Sequence, residues 1–150
     1  MLYVLVRRMG VEVENRGYIE ERNLHLDLEG DSEGILIGKH GCTLEAIEIL
    51  VHRIVNRQLK EPVKFVLDVG GYRRKRADSL EKLGLRLGER AKEDGKAITV
   101  GPFNAQDRRI IHLALQQDGL VKTESIGEGP LKKISILPRK SAGEGNRSLE

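Results

Sequence analysis

The sequence is poor in the residues that most recognition and catalytic chemistries lean on. It has one cysteine, Cys42, so no internal disulfide can form, and a reducing cytoplasm is the expected setting. It has no tryptophan, and its five other aromatics are Tyr3, Tyr18, Phe65, Tyr72 and Phe103. A platform that stacks successive bases on aromatic rings therefore has little to be built from. No apolar run approaches the ~20 residues that span a bilayer. The opening stretch Met1 to Gly10 places Arg7 and Arg8 behind its apolar residues, the reverse of a secretory leader. His25, His40, His52 and His112 show no metal-ligand spacing with Cys42, and the carboxylates are scattered, so no metal, cofactor or acid–base pair is expected. Cys42 near a helix start is read as passive rather than nucleophilic.

Charge is the first positive signal. The chain carries +3 overall, but residues 1–71 hold 9 basic against 12 acidic side chains, whereas residues 72–140 hold 16 against 9. A basic half points to a polyanion. With few aromatics, recognition must work through backbone clamping, apolar grooves and charge.

Periodicity divides the chain at Gly70-Gly71. Before it, a short helix over Leu2 to Met9 precedes strands at Val11–Glu14 and Leu24–Leu28, with a kink or turn at Asn15-Arg16-Gly17. Ser32 can cap a short helix through Ile37. A long helix runs from about Thr43 to Gln58, its apolar stripe formed by Leu44, Ile47, Leu50, Val51, Ile54 and Val55. A strand from Val63 to Val69 closes this half. Beyond the glycines a helix runs to Asp94 with Leu80, Leu83, Leu87 and Ala91 inward. Gly84 and Gly88 lie inside it at about 1 kcal/mol each relative to alanine, which suggests close packing on that side. A strand at Ala97–Val100, a helix capped by Asn104, and strands around Val121–Ser125 and Lys132–Leu137 complete the second half. The polar tail 141–150 reads as disordered. The predicted organisation is α+β, with domains at 1–71 and 72–140.

Two motifs carry chemistry. In Ile35-Leu-Ile-Gly-Lys-His-Gly41 two glycines three apart allow a tight turn and remove side chains from the path of a phosphate backbone. Amides at the start of the following helix can then face phosphates, with Lys39 adding charge and His40 a donor or a stacking face. A nucleotide-binding phosphate loop does not fit. Gly34 and Gly38 enclose three residues rather than four, and His40 stands where that loop needs a hydroxyl. The second motif is Asp107-Arg-Arg-Ile-Ile-His112, in which Arg108 and His112, four apart, share one helix face suited to a phosphate and an adjacent base or sugar.

The order helix, strand, strand, GxxG, long helix, strand resembles a type II KH domain. The stretch from Gly101-Pro-Phe-Asn-Ala to Ile134-Ser-Ile-Leu-Pro138 resembles the Arg-x-x-x-His single-strand-binding domain, two helices on a short sheet. In that order the pair resembles the bacterial Jag/KhpB family over residues 1–140. The further small domain that members commonly carry ahead of the KH domain lies outside this sequence. Phe103 stands where methionine is expected, and Leu131-Lys-Lys133 where an arginine-bearing strand is usual.

The resemblance implies single-stranded RNA as partner, with single-stranded DNA left open as an alternative, no small-molecule substrate and no catalysis. Gly38, Lys39, His40 and Gly41 would clamp backbone, with bases in a groove involving Ile37, Leu44, Ile47 and the strand at 63–67. Arg108 and His112 would hold a second segment, helped by the run Arg73 to Arg76, Lys122, Lys132 and Lys133. The alternative is an adaptor docking a small KH-only protein, a second copy, or a membrane insertase.

Overall fold

The computed structural model describes residues 1–21, 23–32 and 34–139; the expected disordered tail lies outside them. The fold is α+β, with two three-stranded sheets. The chain divides into two compact units between Lys75 and Arg76.

In the first unit, α1 (Leu2–Arg8) ends before Gly10, which has a positive φ of 81°. Val6 is fully buried, and Leu2, Leu5 and Met9 pack beside it. The first strand is not where alternation places it. β1 spans Glu14–Glu20, so Asn15-Arg16-Gly17 lies within a strand rather than at a kink. Val11 and Val13 do reach the core, but as the approach to the strand. All seven β1 residues are exposed, so no hydrophobic period marks it. Its register comes from antiparallel pairing with β2 (Asn23–Glu29), Glu14 opposite Glu29 through Glu20 opposite Asn23.

α2 (Cys42–Gln58) provides the crossover that parallel pairing of β2 with β3 (Lys64–Val69) demands. Leu24, Leu26 and Leu28 register with Phe65, Leu67 and Val69 on the core side. Leu44, Ile47 and Val51 of α2 cover them, with Val55 partly buried. Leu50 and Ile54, expected on the same stripe, are 50% and 42% exposed. A sheet of three strands covers only a narrow stripe of the helix, and both residues fall outside it.

Where a helix is expected from Ser32 to Ile37, residues 35–37 form a turn. Asp31, not Ser32, holds it, its two carboxylate oxygens accepting from Ile35 N–H and Leu36 N–H at 2.9 Å each.

α3 (Tyr72–Asp94) begins in the first unit and continues in the second. Its first turn belongs to the first unit because Arg73 and Lys75 are tied there: Arg73 N–H donates to Asp68 and Lys75 Nζ to Gly70 O. The compact units therefore part four residues later than Gly70-Gly71 suggests.

In the second unit, β4 (Ile98–Phe103), β5 (Val121–Ile126) and β6 (Lys132–Pro138) form an antiparallel sheet in the order β4-β6-β5. β4 passes through Pro102 by an irregularity between Val100 and Phe103, which an edge strand tolerates. α4 (Ala105–Leu115) is capped as expected, Asn104 Oδ1 accepting from Asp107 N–H at 2.8 Å. The expectation for Gly84 and Gly88 holds. A Cβ at Gly84 would lie 3.3 Å from Ile111 Cγ2, and one at Gly88 only 2.6 Å from Leu115 Cδ2. The two glycines let α4 lie directly against α3. Among the described residues no helix is long and apolar enough to cross a membrane.

Candidate nucleic-acid interface

The Gly38–Gly41 loop is held by its own backbone. Gly38 and Gly41 have φ of 69° and 84°, and His40 joins them at 57°. Side chains are excluded at both glycines. A Cβ at Gly38 would fall 2.0 Å from Thr43 Oγ1, and one at Gly41 would fall 2.9 Å from the Tyr72 ring. Tight packing thus requires both glycines, independently of any ligand.

The amides at the start of α2 are already used. Cys42 N–H donates to Lys39 O, Thr43 and Leu44 N–H to Ile37 O, Gly41 N–H to Gly38 O and Gly38 N–H to Gly34 O. The expectation that these helix-start amides face phosphates is therefore corrected. What the loop offers outward is exposed Lys39, with His40 half-buried beside it. Ile37 is half-buried, whereas Leu44 and Ile47 are 2% and 3% exposed and support any groove from beneath rather than line it. β3 is an edge strand, as the groove requires, with Val66 half-buried on its far side.

In the second unit α4 lies beside β5, and their repeats match. Residues i and i+4 on a helix are about 6 Å apart along the axis. Residues i and i+2 on a strand are about 6.7 Å apart. Arg108 and His112 accordingly meet Thr123 and Ser125 one to one. Arg108 Nη1 donates to Ser125 Oγ at 2.6 Å, and His112 Nδ1 lies 2.6 Å from Thr123 Oγ1. A cavity of about 280 Å³ opens beside them, lined by Arg108, Arg109, His112, Thr123, Ser125 and Ile134 among others. Arg108 Nε is shielded from solvent and has no hydrogen-bond partner among the described residues. Three basic side chains, two hydroxyls and one carboxylate-bearing residue, Glu124, thus line one open recess, where the basic groups outnumber the acid, a setting for an anion with adjoining hydroxyl or base edges. Thr123 and Ser125 belong to no motif of the sequence, although their alternation with buried Val121 puts them on the helix side of β5. Arg109 lies about 100° further around the helix axis than Arg108, yet its side chain reaches the same recess.

The arrangement agrees with what comparison with known proteins finds. Residues 1–67 match the family described as KhpA/KhpB, KH domain, and residues 78–138 match the R-3-H domain, named for its Arg-x-x-x-His motif. The chain is similar to the RNA-binding protein KhpB of Clostridium symbiosum, 36% identical over 128 residues, which are 85% of this chain and 58% of that protein. It is similar to the RNA-binding protein KhpB of Bacillus subtilis (strain 168), 30% identical over 118 residues, covering 77% of this chain and 57% of that protein. The RNA-binding protein KhpB of Lactiplantibacillus plantarum is 30% identical over 139 residues, 93% of this chain and 43% of that protein. The chain spans roughly half the length of the curated relatives it matches. The chain belongs to the Jag/KhpB family.

In this Jag/KhpB chain the remaining basic residues do not all gather at the recess. Register pairs Ser125 with Ile134, Ile126 with Lys133 and Lys122 with Leu137. Lys132 therefore shares the helix side with Ile134, whereas Lys122 and Lys133 alternate to the opposite side. Lys122 there pairs with Glu124 at 2.5 Å.

The Arg73–Arg76 run is largely spent inside the protein. Arg73 ion-pairs with Glu48 and donates from Nε to Leu67 O at 2.9 Å. Arg76 reaches the buried Asp107 at 2.8 Å. Arg74 is exposed. Burial pushes the Glu48 carboxyl above its usual range, and Arg73 only partly offsets this. Among the described residues no group of three or more His, Cys, Asp or Glu side chains could hold a metal ion.

Proposed function

We propose that this Jag/KhpB chain binds single-stranded RNA in the bacterial cytoplasm, as a regulator or chaperone of RNA that makes and breaks no bond. The observation that carries the reading is the recess between α4 and β5, where Arg108 and His112 are held by Ser125 and Thr123 beside an unspent Arg108 Nε. The relatives named for RNA binding support the choice of ligand. Arg108 takes a phosphate, His112 the neighbouring sugar or base, and Arg109 and Lys132 add charge at the rim. In the first unit, Lys39 and His40 contact a second backbone segment, with Gly38 and Gly41 shaping the loop and Ile37 beneath a base. Lys122 and Lys133 act at longer range from the opposite side of the sheet.

Photocrosslinking with a 4-thiouridine RNA, followed by mass spectrometry of the crosslinked peptides, tests the placement. Crosslinks are expected in the segments holding residues 37–41 and 108–125. Crosslinks confined to other segments contradict it, and a stronger yield with single-stranded DNA contradicts the choice of RNA.

A further inference from the structure

The strand that sequence periodicity could not find is also exposed along its whole length. β1 pairs with β2 alone, so its outer edge has no strand partner among the described residues. All seven of its residues are exposed, and Ile19 is 78% so. Register places Gly17 beside Leu26 and Ile19 beside Leu24, on the side of the core leucines, yet both leucines remain only half-buried. Arg16, Tyr18 and Glu20 lie on the other side, where Tyr18 stacks on His25 with ring centroids 4.9 Å apart.

Soluble proteins usually blunt such an edge with lysine, proline or a bulge. β1 has no lysine or proline, and its pairing with β2 runs without a register break. The edge is instead complementary to itself. In an antiparallel pairing of two copies centred on Tyr18, Arg16 of each faces Glu20 of the other. Tyr18 faces Tyr18, and Ile19 of each falls beside Gly17 of the other. A side chain at Gly17 would press on Leu26 Cδ2 at 2.9 Å, so the strand is bare there and Ile19 of the second copy meets Leu26. A pairing centred one residue earlier, on Gly17, sets Glu14 against Glu20. The present partners of the charged pair are weak competitors: Arg16 lies 3.6 Å from Glu29 and Glu20 lies 3.9 Å from His25, with the Arg16 and Glu20 side chains 71% and 67% exposed.

We propose that β1 is a dimerisation edge, through which two copies of this chain join their first-unit sheets antiparallel about Tyr18. The pairing completes the backbone hydrogen bonds of both edges, covers Ile19 and the half-buried leucines, and closes two Arg16–Glu20 pairs.

Sedimentation equilibrium of the full chain over a range of concentrations tests this. The parent is expected to show a monomer–dimer equilibrium. Arg16→Glu and Glu20→Arg each place like charges opposite at two points and should weaken self-association about tenfold. An equimolar mixture of the two variants should associate as tightly as the parent, because each supplies the charge the other lacks. Both positions are exposed, so unchanged melting temperatures show that the variants fold. A parent that stays monomeric, single variants that dimerise like the parent, or a mixture no tighter than either variant alone each overturns the proposal.

Discussion

At the scale of single residues, two pairs of side chains meet at the recess of the second unit, and one member of each pair was legible in advance. Arg108 and His112 stand out because a four-residue spacing puts a cation and an imidazole on one helix face. Thr123 and Ser125 do not, because a hydroxyl on a strand has many uses, and only the meeting of helix and strand repeats gives these two theirs. They hold Arg108 and His112 and themselves line the recess, Ser125 exposed and Thr123 half-buried. Thr123→Val and Ser125→Ala should therefore weaken RNA binding about two- to tenfold, the worth of one hydrogen bond each. Arg108→Ala should cost more, since it removes the charge as well. Titration of a labelled oligonucleotide, with melting temperatures alongside, checks this; hydroxyl variants that bind like the parent would show that the contacts do not serve the site. The Arg73–Arg76 run teaches the reverse lesson. Consecutive basic residues look like a ligand surface, but Arg73 and Arg76 satisfy the half-buried carboxyl of Glu48 and the buried one of Asp107, whose partnership no sequence spacing reveals.

At the scale of elements, the strongly periodic helices and the buried strands were readable, and the exposed ones were not. β1 has no apolar alternation to read, and Ser32 imitates a helix cap while the neighbouring Asp31 carboxylate holds a turn instead. The glycines of α3 were informative because they are expensive in a helix, and the contact with α4 explains them. Gly88→Ala gains about 1 kcal/mol of helix propensity but must displace the buried Leu115, an overpacking worth about 1–3 kcal/mol. Chemical denaturation should show a net loss of about 1 kcal/mol; a stabilised variant would mean that α4 gives way easily. The far end of α3 makes a pH prediction. Lys92 Nζ reaches Asp118 Oδ2 at 2.8 Å. Its hydrogen bond first, and that from Leu120 N–H second, hold the Asp118 carboxyl below its usual range, while Lys92 is held above its own. The carboxyl therefore contributes stability above its unfolded value and loses it as pH falls through the lower folded value. The lysine's contribution is lost only as pH rises through its raised value. Asp118→Asn should lower the melting temperature at neutral pH, and the difference from the parent should shrink below about pH 4. A difference constant across that range would show that the pair contributes nothing.

At the scale of the whole molecule, the uneven charge makes the second half of the chain the stronger attractor of a polyanion. Residues 72–140 hold 16 basic against 9 acidic side chains, and the recess lies among them. Binding should weaken with salt by about 0.7 log units per log unit for each phosphate neutralised on a single strand. The family order was legible because the GxxG loop and the Arg-x-x-x-His helix are each local in sequence. The internal bonding of the Gly38, Gly41, Cys42, Thr43 and Leu44 amides was not, because it depends on three residues at positive φ. The central claim, that these surfaces bind single-stranded RNA, is tested most directly by fluorescence anisotropy of a labelled single-stranded RNA. The parent is compared with Lys39→Asp/His40→Asp and with Arg108→Ala/His112→Ala, all at unchanged melting temperature. The account predicts saturable binding by the parent and loss of affinity in both double variants. Stable double variants that bind RNA as tightly as the parent would contradict it.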